Sequence, residues 1–291
     1  MSVLNFSIIA GSEACNARCP FCISKMTPAA GVEMKEPEVN WRNFRKACLH
    51  AKSENVNTVM ITSKGEPTLF PNQITTFLKE LDEFQFPVIE LQTNGINLET
   101  KRERYDSILD NWYEKGLTTI AVSIVHYEPE KNREIYVPHM KSYMDLPSLI
   151  AHLHEKKFSV RLTGVLLDGY IDSASKLEKL IEFGLENQVE QISVRPVDKP
   201  KESRNEVVYS WTLEKHLKDH QKSEMLDYLQ TQGTLIKELI HGGRIYDVKG
   251  QNICFTGCLT LEPKNADIRN LIYFPDGHLR TSWEHMGAII F

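Results

Sequence analysis

Cys15-Asn16-Ala17-Arg18-Cys19-Pro20-Phe21-Cys22 is the stretch that decides how the rest of this 291-residue chain is read. It brings three thiols together in a C-x-x-x-C-x-x-C spacing, and thiolates are soft ligands that suit iron-sulfur clusters. A four-iron cluster has four corners, so three cysteines leave one iron open to an amino and a carboxylate group from a small molecule. The competing reading is a structural zinc site completed by Cys48 or His50. Zinc motifs usually set two closely spaced cysteines together and repeat the pair downstream, which this stretch does not do.

Composition narrows the setting. Hydrophobic residues make up 41% of the chain, enough for a large core, and the formal net charge of -5 gives no general pull toward nucleic acid or an anionic membrane. The first residues, Met1-Ser2-Val3-Leu4-Asn5-Phe6, lack a charged region followed by an apolar run. Nor does any stretch approach the roughly 18 apolar residues of a membrane span. A cytoplasmic protein is expected, and in that compartment six cysteines point to ligands, redox groups or buried thiols rather than disulfides.

Outward from the cysteines the chain alternates β-rich runs with amphipathic ones. Strands are expected at 4–10, 56–62, 87–93, 118–124, 159–166 and 190–196, and helices at 41–53, 72–84, 99–115, 146–157 and 173–187. In the last helix Leu177, Leu180, Ile181 and Leu185 form one face. Parallel strands joined by right-handed crossovers curl naturally into part of a TIM-type barrel. The expected fold is therefore α/β: a partial (βα)6 TIM-type barrel over residues 1–205, with a small C-terminal helix and β-hairpin cap over 206–291. Ligands of such sheets gather at the carboxyl ends of the strands. The cysteine run follows the first strand, Ser63-Lys64-Gly65-Glu66-Pro67 the second, Thr93-Asn94-Gly95 ends the third, and Ser123 to His126 end the fourth.

Cysteine triplet, aromatic Phe21 and Lys64-Gly65-Glu66-Pro67 together resemble the signature of the radical S-adenosylmethionine (SAM) superfamily, in which a Gly-Gly-Glu-Pro motif grips the SAM amino group. The resemblance implies a 4Fe-4S cluster on Cys15, Cys19 and Cys22 and an open barrel. It also implies SAM contacts from Phe21, Gly65, Glu66 and Pro67. Lys64 stands where the motif has its first glycine. Thr93-Asn94-Gly95 is similar to an element of the molybdopterin enzyme MoaA and the SPASM-domain enzymes, which adds Thr93, Asn94 and Ser123 as SAM contacts, with His126 reaching toward ribose or adenine. Along the fifth strand Thr163 takes the place of that branch's asparagine, and Asp168 replaces a basic residue that faces SAM. Arg195, on the sixth strand, either meets a substrate phosphate or carboxylate or pairs with a strand-end carboxylate such as Asp198.

Beyond residue 200 the repeat stops. A long helix is expected from about Ser210 to His241, ended by Gly242-Gly243, then a strand near 244–254 and another near 270–282 turned by Pro275-Asp276-Gly277. Cys254 and Cys258 resemble an incomplete auxiliary-cluster region. Three readings compete: a second iron-sulfur cluster completed by His278, His285, Cys48 or substrate, redox or catalytic thiols, and structural thiols in a hairpin over the barrel mouth. The resemblance as a whole implies reductive cleavage of SAM and hydrogen abstraction from a small substrate. An anionic or nucleotide-like molecule held by Arg161, Arg195 or Lys199 is expected, with flavodoxin or ferredoxin supplying the electron. The alternatives are modification of a peptide, protein or nucleic acid, nucleic acid being the least expected partner, and a non-catalytic protein stapled by zinc.

Overall fold

Each of the six expected strand ranges holds one strand of a computed structural model that describes residues 3–28, 34–199, 201–239, 242–257 and 268–291. They are β1 (Asn5–Ile9), β2 (Thr58–Thr62), β3 (Val88–Thr93), β4 (Thr119–Ile124), β5 (Ser159–Leu166) and β6 (Gln191–Pro196). All pair in parallel and in chain order. Between and around them run α1 (Ile23–Met26), α2 (Trp41–Ser53), α3 (Pro71–Leu81), α4 (Ile96–Thr100), α5 (Arg102–Glu114), α6 (Pro129–Tyr136), α7 (Leu146–Glu155) and α8 (Ala174–Glu186). Local chemistry sets several starts. The side chains of Asn40, Asp145 and Ser173 accept the backbone N–H of Asn43, Ser148 and Lys176 and so cap α2, α7 and α8.

Side chains alternate across a strand, and here the alternation separates core from site. Ile8, Val59, Ile61, Leu91, Val122, Leu162 and Val194 are buried with Phe44, Phe77, Trp112, Leu149 and Leu180 of the covering helices. The opposite face carries Gln92, Ala121, Ser123, Thr163, Val165 and Arg195, which line a cavity instead. Lower on that face the fully buried Glu90 pairs with Arg161 and accepts a hydrogen bond from the Gln92 amide at 3.0 Å. Arg161 also donates to Gln191 Oε1. The guanidinium expected to meet substrate is thus occupied in holding a buried carboxylate.

Chain beyond residue 205 departs from the expected long helix. It forms two, α9 (Glu206–Lys215) and α10 (Asp219–Gln232), followed by strand β7 (Thr234–Glu238). The break centres on Leu217, fully buried, and is stitched to the β5–α8 loop. There the Asp168 N–H donates to Lys215 O at 2.9 Å and Asp168 Oδ1 accepts from Gln221 Nε2 at 2.9 Å. Asp168 therefore serves the helix junction. Gly233 ends α10, its N–H donating to Leu229 O at 3.0 Å.

The expected strand at 244–254 is a hairpin of β8 (Arg244–Val248) and β9 (Gln251–Phe255), turned by Lys249 and Gly250 at φ of 55° and 92°. Downstream lie β10 (Asn270–Tyr273) and β11 (Leu279–Arg280), joined through Pro275-Asp276-Gly277 as expected. These strands join the main sheet, whose order is β11-β10-β1-β2-β3-β4-β5-β6-β9-β8-β7. β10 lies parallel to β1 and β9 parallel to β6, so both edges of the six-stranded barrel segment are extended by chain from the C-terminal region. Among the described residues no helix is long and apolar enough to cross a membrane.

Candidate active site

One cavity of about 240 Å³ at the carboxyl ends of the strands is lined by Cys15, Cys19, Phe21, Cys22, Gly65, Glu66 and Pro67. Thr93, Asn94, Ser123, Thr163 and Arg195 line it too. Residues spread over 180 positions of sequence thus converge where the strand-end rule puts a ligand. His126 is not among them. Its ring is buried, lies 4.4 Å from that of Tyr127, and accepts the Glu128 N–H at Nδ1 over 3.0 Å. Burial and nearby Lys131 push its pKa down to about 4, so it stays neutral near pH 7.

The three thiols sit in a loop clamped from two sides. On one, Arg18 N–H donates to Tyr136 O at 2.9 Å, and the Cys19 thiol lies 4.0 Å from the same oxygen. The Tyr136 hydroxyl donates to Ser123 Oγ at 3.0 Å, which ties α6 to β4 across the cavity mouth. On the other, Phe21 packs between Tyr136 and Trp211, with ring centroids 6.1 and 6.3 Å away. Arg204 N–H donates to Met26 O and its guanidinium bonds Glu13. Tyr136, Trp211 and Arg204 were invisible to motif reading because they act through tertiary contact. Asn16, inside the cysteine run, carries no motif signal of its own; its Oδ1 accepts from Asn94 Nδ2 at 2.6 Å.

Burial is the main cause that pushes the Cys15 thiol up to about 12, with Glu66 second, and it drives Cys19 higher still with help from Cys22 and Cys15. Thiols in such a place ionise when a metal takes the charge. A closed zinc site needs four ligands converging on one ion. Among the described residues no group of three or more His, Cys, Asp or Glu side chains is so disposed; of the two expected fourth ligands, both on α2, Cys48 is buried in the main core and His50 lies in the last turn. Cys15, Cys19 and Cys22 line one cavity, and three thiols are the donor set that an iron-sulfur cluster with one open corner takes.

Next to them Glu66 is almost fully buried. Its Oε1 accepts from Thr68 N at 3.1 Å, Thr68 Oγ1 at 2.7 Å and Thr93 Oγ1 at 2.5 Å, and its Oε2 accepts from Asn94 N at 2.9 Å. Glu66 thereby caps the 3-10 turn Pro67–Leu69, whose first residue, a proline, has no N–H to satisfy. Among the described residues no cation pairs with this carboxylate, and burial, the dominant cause, raises its pKa above the ordinary range. A buried acidic group held by four donors and facing a cavity fits an ammonium ligand.

Gly65 is where the Glu66 turn meets the cysteine loop. Glu66 N–H donates to Ala14 O at 2.9 Å, and a Cβ built on Gly65 would stand 1.9 Å from that same oxygen. Gly65→Ala is therefore expected to destabilise the protein by about 2–3 kcal/mol, because backbone rather than a flexible side chain must move. Denaturant unfolding of the metal-free protein measures it; an unchanged midpoint would contradict the close approach.

The remaining candidates divide. Lys199 Nζ donates to the Tyr209 hydroxyl at 2.6 Å. Cys254 lies on β9 beside Ser193 of β6 and does not line the cavity; burial raises its pKa. His278 stands 3.3 Å from Asp276 at the β10–β11 turn, and Cys258 falls outside the described residues. A second chamber of about 400 Å³ shares the wall Pro196, Val197 and Asp198 with the first and adds Lys222, Arg244 and Thr256.

A family model described as the Radical SAM superfamily matches residues 9–185. Among solved structures, SuiB of Streptococcus suis bound to S-adenosylmethionine superposes with a TM-score of 0.65 at 16% identity, over 98% of this chain and 61% of SuiB. The chain thus spans about three fifths of the length of SuiB. Methylornithine synthase, PylB, gives 0.55 at 15% identity over 91% of this chain and 74% of its own. The protein anSMEcpe with bound AdoMet gives 0.55 at 13% identity over 97% and 76%. No curated protein matches the chain by sequence.

Proposed function

The chain belongs to the radical SAM superfamily and is an enzyme, and from that premise we propose that it cleaves SAM reductively and abstracts hydrogen from a small anionic or nucleotide-like substrate. The observation that carries the reading is the single cavity that joins three thiols to a buried carboxylate without a counter-cation. Cys15, Cys19 and Cys22 would hold a 4Fe-4S cluster and leave one iron open. When bound, such a cluster supplies the electron that splits SAM into methionine and a 5'-deoxyadenosyl radical.

The chain's own residues would do the rest. Glu66 receives the SAM ammonium, and Thr93 and Asn94 hold Glu66 in place through their hydrogen bonds. Ser123, the serine of the resembled MoaA/SPASM-like branch, and Thr163, in place of that branch's asparagine, offer hydroxyls along the strand face. Phe21 and Tyr136 cover the cysteine loop and keep water from the radical. Asp198 lines both chambers while Arg195 lines the first, and we assign the substrate to the second, of about 400 Å³, with its anionic end toward Lys222 and Arg244. On this reading residues 1–205 supply the chemistry, residues 206–291 brace the cysteine loop and wall the substrate chamber, and the protein works in the cytoplasm. A second cluster at Cys254 and Cys258 would need ligands beyond those two thiols. Flavodoxin or ferredoxin is the expected electron source.

Anaerobic loading with iron and sulfide, then reduction in the presence of SAM, tests the proposal. About four irons per chain and release of 5'-deoxyadenosine are expected. A colourless protein that takes up zinc and leaves SAM intact would refute it.

A further inference from the structure

Lys64 occupies the first-glycine position of the motif yet is not among the residues that line the SAM cavity with Gly65 and Glu66. Its side chain runs the other way and is buried to 4% exposure. There its ammonium donates to Thr27 Oγ1. Thr27 caps the C-terminal end of α1, the short turn whose N-cap is Cys22, and its hydroxyl is already engaged with Ile23 O at 3.1 Å. The lysine thus sits against the turn that carries one thiol, on a neutral hydroxyl oxygen that accepts from it while donating its own proton to Ile23 O.

Lysine is almost never buried this far unless it is paired. Among the described residues no carboxylate forms an ion pair with Lys64; Glu13, the nearby acid, is 3.1 Å from Arg204. Desolvation, with Arg204, lowers the Lys64 pKa to about 8, while Glu13 and the nearby Cys22 hold it up, so the group remains an ammonium near pH 7. The burial is unfavourable for the metal-free protein. It becomes favourable when negative charge arrives at the thiols.

We propose that Lys64 is a positioning residue for the redox step, a fixed cation that raises the reduction potential of the cluster held by Cys15, Cys19 and Cys22. The inference rests on the cluster reading above. One-electron reduction adds one negative charge to that group, and in a buried setting a neighbouring ammonium is poorly screened and favours the reduced form. The glycine of the resembled motif supplies no such charge.

The test is a redox titration of the anaerobically loaded protein, without SAM, followed by electron paramagnetic resonance of the reduced cluster. In Lys64→Met and Lys64→Gln the ratio of reduced to oxidised cluster at a given potential is expected to fall at least tenfold, a shift of about 59 mV for one electron. Gln keeps a donor for Thr27, so it serves should Met prevent folding. Lys64→Arg, which retains the charge, is expected to titrate near the wild type. Either neutral variant titrating like the wild type overturns the inference, as does an Arg variant that behaves like Met. A wild-type protein with no titratable cluster would instead overturn the cluster reading itself.

Discussion

Cys19→Ala is expected to reduce bound iron to background and to lower 5'-deoxyadenosine formation at least about 100-fold, beyond the loss an outer contact to a metal ligand produces. The argument is one of ligand supply. Cys19 lines the cavity with Cys15 and Cys22, and among the described residues no other cysteine is placed to substitute: Cys48 is fully buried on α2 and Cys254 lies on β9 and does not line the cavity. Two thiolates cannot hold a four-iron cluster conventionally. The polypeptide itself should survive, because Cys19 is only partly buried and its loop is fastened through Arg18 N–H and Tyr136 O rather than through the thiol alone. A stability change within about 1 kcal/mol is expected for the metal-free form. Iron analysis, product detection and unfolding of the same preparation separate the outcomes; full activity would remove Cys19 from the ligand set.

Why the barrel and the cysteine face were legible is a matter of range. Alternating patterns such as Thr58-Val59-Met60-Ile61-Thr62 declare a strand from its own residues, and a motif at a strand's end inherits its position from the strand. Gly65, Glu66, Thr93 and Ser123 are therefore legible from sequence as strand-end residues, and they line one cavity. What lay beyond reach depended on partners distant in sequence. The junction at Leu217 carries no glycine or proline, and it breaks the helix because burying Leu217 and bonding Asp168 outweigh continued helical geometry. Gly233 and Lys249-Gly250 did carry local signals, a C-cap and a two-residue hairpin turn, and the expected long helix and single strand ran through them. His126 shows the opposite failing: it follows a strand end, as a site residue would, but its side chain turns to Tyr127.

Glu66→Gln should weaken SAM binding about 100-fold, about 2.8 kcal/mol at 1.4 kcal/mol per tenfold. Charge is the first cause, since the ammonium loses an ionised acceptor and the hydrogen bond loses its ionic strengthening. Geometry is the second. Both carboxylate oxygens accept, Oε1 from Thr68 and Thr93 and Oε2 from Asn94, so an amide must turn its NH2 toward at least one of these donors. One N–H is then left opposed in a buried place, which costs about 1–3 kcal/mol and loosens Asn94 as well. The pH dependence carries opposite signs for binding and folding. Because burial raises the Glu66 pKa, the stability contributed by its neutral form is fully present below the unfolded carboxylate value and is lost as pH rises through the folded one. SAM affinity runs the other way, falling as acid neutralises the carboxylate that must meet the ammonium. The Gln variant should lose both trends. Calorimetric titration of the cluster-loaded protein with SAM, alongside thermal unfolding of the metal-free form across the acid range, measures the two limbs. A wild-type affinity that stays flat through that range, or a Gln variant that binds SAM as tightly, would detach Glu66 from the ammonium.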